Sequence, residues 1–304
     1  MAWANSMHRA PRLLLAFLLG TGAATLQAPA SNGAAQAASQ SAQKATPKAG
    51  AAKTPNIPTN DSEIQTEQQL LVLANQSRQQ AGAPPLTLDA GLTRAARIHA
   101  QAMLEARQLS HQFDGEPALP QRLAATSNLQ LEQEGENVAL DYSAQGGHQH
   151  LMLSPPHRAN LLNPAYNVVG MGVVRSGDRL YIVQDFGHAL PNYSPAEVKD
   201  RVAAAVNQMR RQSSQPDLKR HDLSIADDAA CSMAQADRLA TAPVHALSER
   251  FTVLSYTSLH PETLPDGAAH AMAGPNLQSF SVGACYGKTD TYPMGVYWVV
   301  LSLE

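Results

Sequence analysis

Residues 154–164 read SPPHRANLLNP, and two strand-like runs follow this stretch, NVVGMGVV at 167–174 and LYIVQDF at 180–186. Both runs are rich in β-branched and aromatic residues, which favours strands. The four residues 175–178 between them, Arg-Ser-Gly-Asp, are typical of a hairpin connection. The pattern therefore predicts an antiparallel strand pair directly after a Pro-containing segment, with a further helix near 148–152 on its N-terminal side.

Upstream of this stretch the hydrophobic spacing predicts two helices. The first begins near Glu67 and ends before Gly82 and Pro84, which are helix-breaking residues. The second begins at Asp89, a residue type that caps helix N-termini, and its inner face includes His99, which we interpret as a packed core histidine. A loop, LSHQFDGEPALPQRL at 109–123, and the segment EGENVAL at 134–140 separate these helices from the strand pair.

Composition excludes several classes of protein. The 304 residues carry 22 lysines and arginines against 25 acidic residues, a net charge of −3, which is not the basic surface that nucleic-acid binders need. Two cysteines are too few for a disulfide-dense scaffold or a cysteine-rich zinc module. No nucleic-acid partner is expected, and no apolar run after the N-terminus reaches the roughly 18 residues of a membrane span.

The N-terminus has the features of an export signal. His8, Arg9 and Arg12 precede a short apolar core at 13–26, and the residues at 28–30 form an A-x-A-like cleavage site. We predict a signal peptide at 1–30 and a secreted or periplasmic protein with no membrane span once the signal is cleaved. An uncleaved N-terminal anchor is the alternative. Residues 31–66, rich in Ala, Ser, Gln and Pro, are predicted to form a disordered linker.

The order of five short motifs resembles the CAP superfamily. These motifs are the L-x-L-x-N-x-x-R helix of 71–78, the SH of the 109–123 loop, GEN at 135–137, the S-P-x-H-R-x-N pattern of 154–160 and a G-x-G strand before a Q-x-F-G strand. The resemblance is to the SCP domain of cysteine-rich secretory, antigen 5 and pathogenesis-related 1 proteins, in its bacterial secreted form. It implies an α+β fold over residues 67–190, an α-β-α sandwich with helices on both faces of an antiparallel sheet.

The same resemblance implies a cleft lined by histidines and acidic residues. Carried over by position, the cleft or ligand-binding residues are His111, Glu136, Asn137, His157 and Arg158. Many relatives have a second acidic residue on the helix before the last histidine. Here that helix carries His148 and His150 instead, and Leu151 stands where bacterial relatives usually have Trp, so a complete metal sphere is in doubt.

Three interpretations of the cleft chemistry remain open from the residues alone. The side chains could form a hydrogen-bonded network that holds the loops over the sheet. Alternatively His111 and His157 could bind Zn²⁺ or another divalent metal, either weakly or as a committed catalytic ion. His148 and His150 are interpreted as a solvated helix start, with a surface Cu or Zn site as the weaker alternative. No cofactor is certain.

Residues 195–304 are predicted to form a diverged second CAP-like domain or an unrelated accessory domain. The segment AARIHAQAM at 95–103 aligns with AACSMAQAD at 229–237, an offset of 134 positions. The closing strands at 279–287 and 295–303 follow the plan of the first pair. Cys231 and Cys285 fall on elements that pack together in such a sandwich, so a disulfide is predicted, with two buried thiols as the alternative.

The leading functional hypothesis is a non-enzymatic extracytoplasmic binding module for a small molecule, a lipid or a cell-envelope component. A metal in the cleft would be optional. The alternative is a metal-assisted hydrolase of peptide or envelope polymer that uses Glu136 as general base. A purely structural role is the third hypothesis.

Overall fold

The computed structural model describes residues 60–304, so the predicted signal peptide and residues 31–59 of the predicted linker lie outside the described residues. Two domains follow one another. The first contains α1 (Asp61–Gln80), β1 (Thr87–Leu88), α2 (Ala90–Ala106), α3 (Leu119–Thr126), β2 (Gln130–Asp141), α4 (Ala144–Leu153), α5 (Pro155–Leu162), β3 (Val168–Ser176) and β4 (Arg179–Leu190). Within 60–304 no helix is long and apolar enough to cross a membrane.

The first domain is the predicted α-β-α sandwich, which is confirmed. Its sheet has the order β1-β3-β4-β2, with β1 parallel to β3 and the other pairs antiparallel. One face of β3 presents Val169, Met171 and Val173 to a core shared with α1, α4 and α5. The other face presents Gly170 and Gly172, where a Cβ would collide with the backbone of α2. The glycines therefore let α2 lie directly on the sheet.

The first helix begins at Asp61, earlier than the start near Glu67 that the sequence predicted. Asn60 forms a capping box with Glu63, in which each side chain bonds to the other residue's backbone N–H at 3.0 Å. This pairing satisfies two N–H groups that a helix start otherwise leaves free. The predicted linker boundary at residue 66 was therefore too late, because the polar Asn-x-x-Glu signal lies inside a stretch with few apolar residues.

The second domain contains α6 (Pro195–Gln212), β5 (Lys219–Arg220), α7 (Ser224–Gln235), α8 (His245–Ser248), β6 (Thr252–Ser258), α9 (Ala268–Met272), β7 (Ser279–Gly287) and β8 (Val296–Leu303). A 3₁₀ turn at Ala242–Val244 precedes α8. The sheet order is β5-β7-β8-β6, with β5 parallel to β7 and the other pairs antiparallel. Both domains therefore have the same strand order and the same strand directions.

Buried polar contacts repeat between the domains as well. In the first domain Asn75 exchanges two hydrogen bonds with the backbone of Leu86, and in the second Asn207 does the same with Leu218. Gly283 on β7 lies against the backbone of α7 as Gly170 lies against α2. The shared architecture is what a repeat requires. That the second domain is a diverged copy of the first stays a prediction.

A fully buried arginine ties the end of the first helix to distant loops in each domain. Arg78 donates to four backbone carbonyl oxygens, among them those of Leu161 and Tyr166 at 2.9 and 2.8 Å. Arg210 donates to the carbonyls of Pro216, Met272 and Gly274 at 2.7–3.0 Å. Carbonyls buried in this way need a donor, because leaving one unpaired costs about 1–3 kcal/mol.

The predicted disulfide is present. Cys231 on α7 is bonded to Cys285 on β7, with their Cα atoms 5.1 Å apart. Both cysteines of the chain are used, so the alternative of two buried thiols does not hold. The bridge fixes α7 against the sheet of the second domain.

We predict that Arg210→Met destabilises the protein by about 3 kcal/mol, because three buried carbonyls lose their donor. The matched control is Arg211→Met on the same helix, where the exposed side chain pairs with Asp217 and its loss should cost less than about 1 kcal/mol. Urea denaturation of both variants measures the difference. Equal losses in the two variants would contradict a structural role for the buried arginine.

Candidate functional site

The cleft of the first domain collects residues from three separate elements. Glu136 lies on β2, His111 lies in the loop that leads to α3, and His157 lies in α5. The imidazole rings of His111 and His157 have their centroids 6.4 Å apart. The structure therefore brings together the three side chains that the family resemblance assigned to the cleft.

Glu136 is a buried carboxylate with both oxygens occupied. Its side chain is 4% exposed, Oε1 lies 2.8 Å from Nδ1 of His111, and Oε2 accepts a hydrogen bond of 2.9 Å from Arg122. Burial alone would raise the pKa of Glu136. The hydrogen bond from His111 and the positive charge of Arg122 outweigh it and leave the pKa below its usual value. Glu136 is therefore ionised at neutral pH.

The fully buried side chain of His99 anchors the loop that carries His111. Its Nε2 lies 2.9 Å from the backbone oxygen of Ser110, and its Nδ1 lies 2.7 Å from the carboxylate of Glu116. Arg122 adds a bond of 3.2 Å to the backbone oxygen of His111. The imidazole of His111 is thus positioned by contacts to its own backbone and to the preceding residue.

The side chain of Asn137 joins several segments around the cleft through hydrogen bonds within the protein. It is fully buried, and its amide nitrogen donates to the backbone oxygen of His157 and to Gln184. Its oxygen accepts from Asn160, which also donates to the backbone oxygen of Glu136. The sequence placed Asn137 among the ligand-binding residues. In the structure its side chain positions α5 through these bonds, and a role in ligand binding stays a prediction.

Asp185 is a second carboxyl group in this network that sequence reasoning missed. It lies opposite Glu136 in the pairing of β2 with β4 and is 1% exposed. Both of its oxygens lack a hydrogen-bond partner among the described residues. Burial and the negative charge of Glu136 raise its pKa well above the usual value. We infer that the carboxyl group of Asp185 favours its protonated, neutral form beside the ionised Glu136.

The accessible side chains among the predicted cleft residues are the two imidazoles and Arg158. The side chain of His111 is 45% exposed, and His157 is half-buried. Burial and the nearby His111 lower the pKa of His157, which keeps it neutral at neutral pH. Arg158 is exposed on α5, and within residues 60–304 its side chain forms no ion pair. These groups offer hydrogen-bond donors and one positive charge to a bound molecule.

His148 and His150 do not share a site, although both lie on α4. His148 is buried with Nε2 2.9 Å from the hydroxyl of Ser77 on α1, and burial lowers its pKa. His150 is exposed and lies 2.5 Å from the carboxylate of Asp141. The two rings face different partners, so the helix joins α1 to the sheet and adds no ligand pair to the cleft.

The donor set of the cleft does not fit a resident divalent metal. Across residues 60–304 no three His, Cys, Asp or Glu side chains are placed to hold an ion together. The carboxylate of Glu136 is committed to the Arg122 guanidinium, whose charge also repels a cation. His111 and His157 alone fall short of the three protein ligands that catalytic zinc sites usually have.

Three members of the network carried no recognisable motif in the sequence. Arg122 lies in the 109–123 segment that was predicted to be a loop, and α3 begins inside it at Leu119. Asp185 interrupts the apolar strand LYIVQDF, and an acidic residue within a buried strand is the signal that could have identified it. Glu116 lies in the same segment as Arg122, and its carboxylate lies 2.7 Å from Nδ1 of His99.

Comparison with known proteins gives a family for part of the chain. Residues 71–186 match the model of the cysteine-rich secretory protein family, CAP. The chain is 30% identical over 112 residues to the uncharacterized protein YkwD of Bacillus subtilis, covering 36% of this chain and 43% of that protein. It is 33% identical over 126 residues to the uncharacterized membrane protein YlbC of the same organism, covering 40% and 35%. The chain thus spans less than half the length of these curated relatives.

The solved structures similar to this chain include a bacterial protein with an SCP domain. An extracellular protein of Bacillus anthracis that contains an SCP domain is 27% identical, covers 43% of this chain and 45% of its own, and has a TM-score of 0.38. The matched family segment lies entirely within the first domain described above.

We predict that Asp185→Asn stabilises the protein at neutral pH. The folded state keeps a proton on Asp185 that the unfolded state, with the ordinary pKa of 3.8, releases. Wild-type stability therefore falls as pH rises above 3.8, by up to about 1.4 kcal/mol per pH unit until the folded-state pKa is reached. The amide of the variant cannot ionise. The stability of the variant relative to the wild type therefore increases as the pH rises from 3.8 to the folded-state pKa of Asp185. Thermal melts from pH 4 to 8 measure the gain.

The control for this experiment is Asp178→Asn in the exposed turn between β3 and β4. Its pH profile should parallel that of the wild type. If the Asp185→Asn profile also runs parallel, Asp185 is ionised in the folded protein and the assignment is wrong.

We also predict that the cleft retains no stoichiometric metal. After untagged protein is exposed to Zn²⁺ and excess ion is removed, wild type and the His111→Ala, His157→Ala variant should hold the same small fraction of an ion per chain. Elemental mass spectrometry makes the measurement. About one ion per chain in the wild type and none in the variant would show that the imidazoles form a true metal site.

Proposed function

We propose that the protein is a non-enzymatic extracytoplasmic binding module, since residues 71–186 match the CAP family model as the sequence motifs predicted. Its ligand is a small molecule, a lipid or a cell-envelope component held at the cleft. Three accessible side chains would contact it: His111, His157 and Arg158. Binding sites commonly combine a few fixed polar groups with a preformed depression, and here the polar groups are donors.

The observation that carries this proposal is the engagement of the buried Glu136. A binding site needs side chains that do not move, and the contacts of Glu136 with His111 and Arg122 hold one wall of the cleft rigid. The hydrogen bond from Asn137 to the backbone of His157 does the same for the other wall. The exposed donors therefore sit on a preorganised frame, which reduces the entropic cost of binding.

The chemistry of these donors favours a ligand rich in oxygen. The guanidinium of Arg158 donates to hydroxyl, carboxylate and phosphate oxygens and adds a charge that favours an anion. A neutral imidazole has one donor and one acceptor nitrogen, which suits a hydroxyl group. Lipid headgroups and envelope polymers both present such oxygens. The proposal does not depend on a metal at His111 and His157.

The same geometry argues against the hydrolase alternative. A general base must reach the proton it removes and must have a pKa near the working pH. Glu136 has a lowered pKa and is paired with Arg122, so it is a weak base with no free oxygen. We therefore do not extend the proposal to hydrolysis of peptide or envelope polymer.

Export is part of the proposal. The basic and apolar segments before residue 31 have the pattern of a signal peptide. The disulfide between Cys231 and Cys285 is the type of bond that persists in oxidising compartments outside the cytoplasm.

We predict that residues 31–304 bind to peptidoglycan sacculi or to vesicles of phosphatidylglycerol and phosphatidylethanolamine. The His111→Ala, His157→Ala variant should bind the same probe about tenfold more weakly, because two donors of the cleft are lost. Co-sedimentation measures both. The matched control is His245→Ala, His270→Ala, which removes two exposed histidines of the second domain. No binding by the wild type, or equal binding by cleft and control variants, would contradict the proposed site.

A further inference from the structure

The two domains contact each other through the loop 288–295 between β7 and β8. Met294 of this loop is 5% exposed and packs in a corner of the first domain formed by five apolar side chains: Leu92, Ala95, Leu123, Leu131 and Val168. Lys288 of the same loop donates to the backbone oxygen of Ser127 at 2.7 Å. The corner lies where the start of α2 meets the start of β3, and an unbranched side chain fills it.

The second domain has an equivalent corner where α7 meets β7. Gly170 and Gly283 both lie against the backbone of the covering helix, at Leu92 and Ala226 respectively, and this fixes the correspondence of the strands. Counting two residues back from each glycine pairs Val168 with Ser281. An apolar position of the first corner is therefore a hydroxyl in the second.

This second corner is open. A cavity of about 280 Å³ lies there, and its apolar lining includes Leu223, Leu247 and Phe251. Ser281 and Ser302, which are paired across β7 and β8, also line it. The volume is at the small end for ligand pockets, so only a compact molecule fits.

The two serines are buried without partners. Ser281 is 2% exposed and Ser302 is 1% exposed, and neither hydroxyl has a hydrogen bond to another described residue. Burying an unpaired hydroxyl costs about 1–3 kcal/mol, so two of them in one cavity indicate that a bound molecule supplies the missing partner.

The mouth of the cavity favours a negative charge. In the first domain Asp89 caps α2 by accepting from the N–H of Leu92, whereas Leu223 at the same place on α7 provides no side-chain cap. The start of α7, where a helix carries a partial positive charge, therefore has no side-chain acceptor, and Leu223 and Ile225 at this end line the cavity. Arg250 and His221 also line the cavity and are exposed. The carboxylate of Glu304, on the rim, already accepts from Ser279.

We propose that this corner of the second domain binds a small carboxylic acid with an unbranched aliphatic chain. The chain would occupy the apolar lining, as Met294 does in the first domain. The carboxylate would lie at the start of α7 beside Arg250, within reach of the serine hydroxyls. The site is separate from the cleft and does not depend on the function proposed for it.

Octanoate is the probe, with 1-octanol as its uncharged counterpart. Titration calorimetry on residues 31–304 should show that octanoate binds about tenfold more tightly than octanol, because the charge-assisted contacts need the carboxylate. Arg250→Gln should remove most of that tenfold preference and leave octanol binding unchanged. Arg238→Gln, an exposed arginine outside the cavity lining, is the matched control.

A second pair of variants tests the position of the site. Ala246 is exposed and lines the cavity, so Ala246→Phe should fill it and weaken octanoate binding by about tenfold or more. Ala236→Phe is the matched control, since Ala236 is exposed and does not line the cavity. Both positions are on the surface, and unchanged melting temperatures would confirm that the variants fold.

Three outcomes would overturn the proposal. The first is a wild-type chain that binds no octanoate. The second is equal octanoate binding by Ala246→Phe and Ala236→Phe. The third is loss of octanoate binding in the His111→Ala, His157→Ala variant, which would move the ligand to the cleft. Octanoate binding that survives in this cleft variant supports the separate site, whatever the result for sacculi and vesicles.

Discussion

The cleft of this protein depends on one buried carboxylate and the two cationic or hydrogen-bonding groups that enclose it. Removing Glu136 from water is unfavourable, and its contacts with His111 and Arg122 compensate for that loss. Once the carboxylate is buried, its neighbours are constrained in turn. Burial and the neighbouring charge of Glu136 raise the pKa of Asp185, which favours its protonated form. The loop of His111 is held over the sheet, because opening it would remove the hydrogen bond between His111 and the buried carboxylate of Glu136. A rigid polar frame for ligand binding is the result.

The two domains show that the framework and the chemistry of this architecture can be separated. Both keep the buried arginine and asparagine contacts that join the first helix to distant loops, and both keep the glycine that admits the covering helix. The second domain lacks the SH, GEN and S-P-x-H-R segments, so no equivalent of the buried Glu136 network occurs on β6. Backbone-directed contacts hold the fold, and they place no demand on which side chains occupy the cleft.

Much of the fold was predictable from local signals, and less of the site was. Hydrophobic spacing predicted the helices α1 and α2, and the strand pattern predicted the pair at the end of each domain, because burial on one face imposes a period on the sequence. The motifs identified His111, Glu136 and His157. Arg122, Asp185 and Glu116 were missed because their role comes from tertiary neighbours that no local pattern encodes. The motif also named Asn137, but it did not reveal that this side chain would be fully buried in bonds to α5 and β4, since a motif does not encode tertiary neighbours.

The contact between the domains explains why their equivalent corners differ. The connection between β3 and β4 is a short turn around Gly177, whereas the loop 288–295 is long enough to reach the other domain and insert Met294. An inserted apolar side chain requires an apolar corner, which is what Leu123, Leu131 and Val168 provide. The first domain has no such loop to offer in return, so the corner of the second domain receives no side chain from it. Ser281 and Ser302 can occupy positions there that would be unfavourable opposite a methionine, because an unfilled corner can take a partner that satisfies their hydroxyls.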